Sequence, residues 1–275
     1  MTNRLRRTAV KFFLLKSGAA MSALIACLSL AVWPRCAGAE PALSGREVAL
    51  RAYNADTSRD ARRHTIMVVE RDGMRLTREL EMLTKKFPPD ERTLIRFLEP
   101  PDVRNNRYLT WSWEDPDKRS DMWVFLPSEN LVRRISDGGK KAAFMRSDLA
   151  NEDMEKRSVR ADKQDLLREE AVDGVRCFVV EYVPLSNEDS NYSRRVAWIR
   201  SDIWHPVRIE YYDKRNELLK TAHYGGYEQI SGVWSYTRMA VETPRRNSKT
   251  LIQVQRTEMN TGLADSDFEQ GSLKR

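Results

Sequence analysis

Three acidic side chains close together in the middle of the chain are the residues best suited to chemistry. Asp148, Glu152 and Asp153 fall in a segment of helical character, residues 148–156, where Asp148 is expected to cap the start of a short helix. Carboxylates at the opening of a cleft could act as general acid and base. Acids near the start of a helix are also stabilised by the helix dipole without any catalytic role. The sequence leaves both interpretations open.

Other combinations of reactive residues lack the spacing that chemistry requires. The sequence contains no Gly-x-Ser-x-Gly elbow, no His-Glu-x-x-His helix and no phosphate-binding loop. Its three histidines, His64, His205 and His223, lie on separate predicted strands or turns, so no two have the spacing of metal ligands within one element. We therefore expect no metal site, no cofactor and no catalytic residue, although a catalytic site assembled from distant residues would leave no local motif.

The first 39 residues are typical of a secretory signal peptide. Basic side chains without any acid precede an apolar stretch at residues 19–33, and a run of small residues ends at Ala39. We expect cleavage after Ala39 and export of a single domain, residues 40–275. An uncleaved membrane anchor is one alternative, but the apolar stretch is short for a membrane span. Lipoprotein processing at Cys27 is another, although residues 28–32 stay apolar where a tether would be polar.

Removal of this signal peptide changes the charge and the cysteine content of the chain. Six of the 47 basic residues lie in residues 1–39, which leaves 41 basic against 40 acidic side chains. A nucleic-acid-binding domain needs a basic surplus, so we expect no nucleic-acid partner. Cys177 is the one cysteine that remains, so no intramolecular disulfide can form. Its apolar neighbours place it on a buried strand.

The elements that must position these residues are mainly β-strands. One helix is expected after Ser44, which can form a capping box with Glu47. Asp72-Gly73 and Asp173-Gly174 each predict a tight hairpin between two strand-like runs. About a dozen strands follow one another as in a meander or a barrel. They are predicted at residues 64–70, 76–82, 92–98, 108–113, 121–126, 131–135, 158–172, 175–183, 193–200, 206–212, 218–227, 233–241 and 250–258.

Several of these strands are unusually apolar. Trp111 and Trp113 alternate with polar residues, and Trp198 is one of two large apolar residues on one face of its strand. The strand at residues 121–126 is apolar on both faces, with Met122, Val124 and Leu126 on one and Trp123 and Phe125 on the other. Such a strand needs cover on both faces, either from a helix or from a ligand in a cavity. The pattern alone favours an ordinary core over a cavity.

Three strings in the chain resemble the core motifs of one protein family. Residues 122–127 (Met-Trp-Val-Phe-Leu-Pro), 132–136 (Val-Arg-Arg-Ile-Ser) and 144–153 (Phe-Met-Arg-Ser-Asp-Leu-Ala-Asn-Glu-Asp) occur in the family's order. They are similar to the W-x-Y-L-P, R-R-I-S and F-M-G-S-D-F-x-x-E-D motifs of the LolA-like outer membrane lipoprotein-sorting proteins. The resemblance covers roughly residues 45–273. Arg146 replaces the Gly of the motif and Leu149 replaces its second Phe, and both changes bear on the geometry of this loop.

The resemblance implies a mainly β (α+β) fold, an incomplete antiparallel β-barrel with a few helices covering its concave side as a lid. It also implies a periplasmic carrier that shields the acyl chains of a lipoprotein or another envelope lipid, with an inner-membrane transporter as a possible partner. The lid would contain Asp148, Leu149, Glu152 and Asp153. The residues expected to line the cavity are Trp111, Trp113, Met122, Trp123, Val124, Phe125, Leu126, Phe144, Met145 and Trp198.

Two other functions stay open beside this carrier. Acids such as Asp148 or Glu152 near the cavity opening could serve a hydrolase that acts on envelope lipid. The chain could also be an accessory subunit that docks on an envelope transporter and carries no ligand. The carrier is favoured because burial of each methylene contributes about 0.8 kcal/mol, and methionine and aromatic side chains adapt to a flexible acyl chain.

Overall fold

The computed structural model describes residues 43–186 and 190–275. The predicted signal peptide, with its cleavage site after Ala39 and the alternative processing site at Cys27, lies outside the described residues. Within the described part of the chain, no helix is both long enough and apolar enough to cross a membrane.

Helix α1, Gly45–Tyr53, opens the domain. The predicted capping box is confirmed, because the Glu47 amide donates to Ser44 Oγ and the Ser44 amide donates to the Glu47 carboxylate at 2.7 Å. Gly45 lies against the backbone of a strand, and a Cβ added there would come within 2.5 Å of the Leu166 nitrogen. Glycine therefore allows α1 to pack closely on the sheet. Val48 is fully buried in this contact.

The described chain contains fifteen strands, thirteen of them in one antiparallel sheet. Both predicted Asp-Gly hairpins are confirmed, since Asp72-Gly73 joins β1 to β2 and Asp173-Gly174 joins β7 to β8, with positive φ at all four residues. The strands are β1 (Asp60–Arg71), β2 (Met74–Phe87), β3 (Asp90–Glu99), β4 (Arg107–Ser112), β5 (Asp121–Leu126), β6 (Leu131–Arg134), β7 (Asp162–Val172), β8 (Val175–Pro184), β9 (Arg194–Arg200), β10 (Pro206–Tyr212), β11 (Leu218–Gly225), β12 (Glu228–Ile230), β13 (Val233–Ser235), β14 (Arg238–Thr243) and β15 (Ser248–Met259).

The large sheet is open and curved. Its order is β6-β5-β4-β3-β2-β1-β15-β14-β11-β10-β9-β8-β7, so β6 and β7 are unpaired edges and β1 pairs with the distant β15. Side chains of β3 and β10 line one cavity, although six strand spacings would separate them by roughly 29 Å in a flat sheet. The sheet must therefore curve around that cavity. The predicted mainly β fold, an incomplete antiparallel barrel, is confirmed.

One predicted strand, residues 233–241, is divided in two. Residues of β13 pair with β12 in a separate two-stranded sheet, whereas β14 pairs with β11 and β15 in the large sheet. The chain changes sheets at Thr237, whose amide donates to the Gly225 and Gly226 carbonyls. An alternating pattern does not reveal such a change of pairing partner.

The concave face is covered by the segment at residues 137–161, which we call the lid. It contains the short helix α2 (Asp137–Lys140) and three 3-10 turns, Phe144–Arg146, Asn151–Met154 and Val159–Ala161. The prediction of a helix over residues 148–156 capped by Asp148 is wrong. The turn begins after Ala150, because the Asp148 amide donates to Thr250 Oγ1 of β15 at 2.9 Å instead of starting a helix.

The opposite, convex face of β2–β5 is covered by the C-terminal segment, residues 263–274. Two 3-10 turns, Asp265–Phe268 and Gln270–Lys274, place Phe268 and Leu273 over the sheet, and both side chains are fully buried. Trp111 Nε1 donates to the Phe268 carbonyl at 2.9 Å. The two faces of this half of the sheet are thus covered by different segments.

Candidate ligand-binding site

A cavity of about 290 Å³, the central cavity, lies between the concave face and the lid. Its walls are rich in methionine and tyrosine, and the lid contributes Phe144, Leu149 and Met154. From the sheet come Met67, Met82, Ile95, Thr84, Thr93, Tyr211, Tyr224, Met239 and Ile252, and Tyr236 comes from the connection between β13 and β14. Flexible thioethers and flat rings can adapt to an irregular apolar ligand.

Two ion pairs add charge to the wall of the central cavity. Lys156 Nζ lies 3.1 Å from Glu91 Oε2, and Arg63 lies 3.6 Å from Asp56. All four side chains line the cavity and are only partly exposed. The cavity therefore combines an apolar wall with a few polar groups, the usual composition of a small-molecule site.

The tyrosines of the wall are neutral at physiological pH. Burial raises the pKa of Tyr211, Tyr224 and Tyr236 above the usual value of 10.0. Tyr224 and Tyr236 pack edge to face with ring centroids 5.3 Å apart, and Tyr192 packs on Tyr211 at 4.9 Å. Such pairs fix the ring positions, and their hydroxyls remain protonated donors.

A buried ion pair fastens the lid to the sheet. Lys220 of β11 donates to the Asp153 carboxylate and, at 3.0 Å, to the Asp148 carbonyl, and both side chains are buried. Asp153 also accepts a hydrogen bond from the Tyr192 hydroxyl at 2.9 Å. Removal of one member of such a pair leaves an uncompensated buried charge, which is far more destabilising than loss of a surface pair.

Further hydrogen bonds attach the lid to the sheet. The Asp148 carboxylate accepts hydrogen bonds from Thr250 at 2.7 Å and from Ser248 at 3.0 Å. On the sheet side, the buried Arg78 donates to the Met145 carbonyl at 2.7 Å. The backbone N–H of Asn191, just before β9, donates to the Glu152 carboxylate at 2.9 Å and so joins the lid to that loop. The acids singled out in the sequence are therefore bonded to the sheet and to neighbouring loops.

Two lid acids are held in surroundings that disfavour their charged forms. Burial raises the pKa of Glu155 above its usual 4.5, and burial also raises that of Glu152. Glu155 Oε2 is buried without a hydrogen-bond partner among the described residues. The same part of the chain offers no group of three or more His, Cys, Asp or Glu side chains that could hold a metal ion.

A second cavity of about 170 Å³, the helix-side cavity, lies between α1 and strands β8–β10. Its walls are mainly apolar, with Ala49 and Ala52 from the helix and Ile199 and Ile209 from the sheet. Tyr211 lines both cavities, so they adjoin at this residue. Three charged residues also line the helix-side cavity: Arg157, Asp162 and Arg195.

Comparison with known proteins identifies the family. A family model described as an uncharacterized protein matches residues 89–275. The crystal structure of a DUF1329 family protein from Desulfovibrio piger is 40% identical, covers 83% of this chain and 97% of its own, and superposes with a TM-score of 0.81. The chain belongs to the DUF1329 family.

The DUF1329 chain also has a LolA-like fold. A putative outer membrane lipoprotein-sorting protein domain from Vibrio parahaemolyticus is 27% identical with a TM-score of 0.80, covering 84% of this chain and 98% of its own. A LolA superfamily protein from Nitrosomonas europaea, at 20% identity and a TM-score of 0.67, covers 84% of this chain and 100% of its own and supports the fold alone. No curated protein matches the sequence. The resemblance predicted from the motifs is confirmed.

The structure brings part of the predicted cavity set to the concave side of the DUF1329 domain. Phe144 lines the central cavity and packs on Tyr108 with centroids 5.0 Å apart, and the Tyr108 hydroxyl contacts Met145 Sδ at 3.1 Å. Leu149 and Asp153 of the predicted lid set also line the cavity. Three further residues of the predicted set lie on the concave side of β5 but outside the cavity wall: Met122, Val124 and Leu126.

Five tryptophan and phenylalanine residues were assigned wrongly to the cavity. Trp123 and Phe125 pack with the C-terminal segment on the convex face, as Trp111 does. Trp198 lies on the outer face of β9, where Arg208 stacks on its ring at 3.6 Å. Trp113 lies beyond the end of β4 and donates to Asp121 at 3.1 Å. In β4, β5 and β9 the residues on either side of these rings face the concave side instead, because successive side chains of a strand point to opposite faces.

The sequence analysis missed most of the residues that do line the cavity. Met67, Tyr211 and Met239 lie outside the three strings quoted above. Met67 and Tyr211 each sit beside a large residue on the other face, Val68 and Tyr212. The alternation in residues 64–70 does separate the two faces of β1. It could not tell which of them faces the cavity, since both are apolar.

Proposed function

We propose that this DUF1329 protein is a carrier that shields the acyl chain of a lipoprotein, or of another envelope lipid, in its central cavity. The observation that carries the proposal is the cavity itself, enclosed between the concave face and the lid and walled by methionine and aromatic side chains. An acyl chain in an aqueous compartment needs such shielding, and each buried methylene contributes about 0.8 kcal/mol.

The lid is the part of the carrier that opens for loading and release. Its attachment combines the apolar contacts of Phe144 and Leu149 with a buried ion pair and hydrogen bonds, and water can replace the polar partners once the lid detaches. A partner that binds the open lid would shift the equilibrium toward release. We propose an inner-membrane transporter or another envelope protein as that partner.

The compartment follows from the proposed signal peptide. Cleavage after Ala39 would deliver residues 40–275 to the periplasm as one domain, and N-terminal sequencing of the exported protein should then begin at Glu40. A mature protein that begins at a lipid-modified Cys27 would instead be a tethered acceptor.

The first test is whether the purified protein contains lipid and binds a lipid-like probe. The exported protein is purified without added lipid, extracted into organic solvent and examined by mass spectrometry, and the emptied protein is titrated with the uncharged fluorescent probe N-dodecyl dansylamide. We expect co-purified lipid and saturable probe binding. No lipid together with no probe binding would contradict the proposal and favour an accessory subunit without ligand.

A matched pair of variants on β2 tests whether the probe binds in the central cavity. Thr84 lines the central cavity, whereas Thr77 on the same strand is exposed on the opposite face. Thr84→Phe should fill the cavity and reduce probe affinity at least about tenfold, roughly 1.4 kcal/mol, while Thr77→Phe leaves it unchanged. Equal affinities for the two variants would place the probe elsewhere.

We propose no catalytic step. Asp148, the acid considered for hydrolysis, is buried and accepts hydrogen bonds from Ser248 and Thr250. Incubation with phospholipid should leave the lipid intact. Turnover that is lost in Asp148→Ala while probe binding persists would favour the hydrolase.

A further inference from the structure

The helix-side cavity differs from an ordinary apolar void by the charges at one end. Arg157 Nε donates to Asp162 Oδ1 at 2.9 Å, and Arg195 donates to the other carboxylate oxygen. The Asp162 carboxylate is almost completely buried. Two cations therefore share one anion, and the trio has an excess positive charge beside apolar walls.

Arg195 has hydrogen-bonding capacity that the protein does not use. Its Nε is buried and has no hydrogen-bond partner among the described residues. Its guanidinium lies 5.6 Å from the centre of the Tyr182 ring. An unmet buried donor is destabilising by about 1–3 kcal/mol. A guanidinium forms its strongest hydrogen bonds with carboxylate or phosphate oxygens.

Burial disfavours the charged forms of the other ionisable groups near Arg195. Burial raises the pKa of Glu155, which faces Arg157 and Arg195 from the lid, and so favours its neutral form. Burial also raises the pKa of Tyr182 and Tyr211, and both stay protonated. Glu152 is bonded to the Asn191 amide, and burial raises its pKa as well.

We propose that the helix-side cavity binds the anionic headgroup of a single-chain amphiphile, a carboxylate or a phosphate, with Arg195 and Arg157 as its partners. This inference rests on the proposed carrier function and names the class of lipid carried. The acyl chain begins against Ala49 and Ile209 and extends toward Tyr211, which also lines the central cavity. Arg195 thus recognises the headgroup, whereas the central cavity shields the tail.

The test compares amphiphiles that differ only in the headgroup. Decanoate, decyl phosphate and 1-decanol compete with N-dodecyl dansylamide for the emptied protein, each below its micelle concentration. At least one of the two anions should displace the probe at a concentration about tenfold or more below that of 1-decanol, the ratio expected for a charged hydrogen bond. The better of the two anions identifies the headgroup as carboxylate or phosphate.

Variants on β9 assign the preference to Arg195. Arg195→Met should reduce the anion-to-alcohol ratio to less than about twofold and leave 1-decanol unaffected. Arg194→Met is the matched control, because Arg194 lies on the opposite face of the same strand, stacked on Tyr212 at 3.5 Å, and should keep the wild-type ratio. If Arg195→Met does not fold, Arg195→Lys retains the charge, and we expect a smaller but measurable preference.

The outcomes separate this inference from the carrier function. Probe binding with equal displacement by all three amphiphiles in the wild type overturns the headgroup site but leaves the carrier intact. An unchanged ratio in Arg195→Met also overturns it. Absence of any probe binding contradicts the carrier function itself.

Discussion

Two segments without long helices cover opposite faces of the same half of the sheet, and they are attached by different sets of contacts. The C-terminal segment inserts Phe268 and Leu273, both fully buried, among leucines and aromatic rings of β2–β5. The lid also buries Phe144 and Leu149 against the sheet, but buried polar contacts join it to the sheet as well, chiefly Lys220 with Asp153 and Asp148 with Thr250. The lid encloses the central cavity.

This difference indicates which cover is permanent. Exposure of buried Phe and Leu side chains to water is unfavourable, so an apolar contact of this kind resists opening. Polar groups lose less on opening, because water replaces their hydrogen-bond partners. We therefore expect the lid, and not the C-terminal segment, to open.

Truncation of the apolar anchor should destabilise the whole domain. Phe268→Ala removes a fully buried ring that packs edge to face on Phe87 at 5.9 Å. We expect a loss of about 3–5 kcal/mol in the free energy of unfolding, measured by urea denaturation. Probe affinity should stay unchanged, because the ring lies on the convex face. Weaker binding in the folded variant would contradict the separation of the two faces.

Loss of the lid ion pair should act locally. Lys220→Met leaves the Asp153 carboxylate buried without its cation, an expected penalty of about 3 kcal/mol. Amides of residues 144–156 should exchange with deuterium faster, while those of β1 and β2 keep their protection. Lys249→Met, which breaks an exposed pair with Glu242, is the control, with an effect below about 1 kcal/mol. Uniformly faster exchange across the sheet would show that the lid does not open independently.

The pH dependence of the lid should follow Glu155. Because burial raises the pKa of the folded-state carboxyl above 4.5, the folded protein binds the proton more tightly than the unfolded chain. This contribution to stability is fully present below pH 4.5 and is lost as the pH rises through the folded-state pKa. Glu155→Gln should flatten this part of the dependence of lid exchange on pH. An identical pH profile in the variant would mean that another group is responsible.

The smallest expected effect concerns the motif residue that departs from the family. Arg146 has φ of +61° and follows Met145 at +47°, so both occupy the left-handed region. Glycine adopts this conformation without steric penalty. Arg146→Gly should therefore stabilise the lid locally by roughly 0.5–1 kcal/mol and slow the exchange of its amides with deuterium. Faster exchange would show that the Arg146 side chain contributes more than its backbone conformation loses.

The sequence predicted the features of the domain that depend on near neighbours. The Ser44–Glu47 capping box and both Asp-Gly hairpins are local, and each was found correctly. The curved sheet and its lid came from the motif resemblance. The left-handed φ of Arg146 also explains why the motif has glycine at that position.

The parts that could not be predicted depend on distant contacts. Whether Trp198 or Ile199 faces inward depends on the position of α1, about 150 residues earlier in the chain. Trp123 and Phe125 face outward because residues 263–274 cover them. Asp148 resembled a helix cap, and only its pairing with Thr250 of β15 shows that it fastens the lid. The alternation of side chains along a strand assigns each residue to one of two faces. It does not indicate which segment of the chain covers each face.

Photo-crosslinking would locate the bound acyl chain. The emptied protein is loaded with a decanoate analogue that carries a diazirine at the end of its chain, irradiated, digested and sequenced by mass spectrometry. The account predicts labels on the lid near Met154 and on the concave face of β1–β3, with loss of labelling in Thr84→Phe. Labels confined to the C-terminal segment or to the convex face would contradict it.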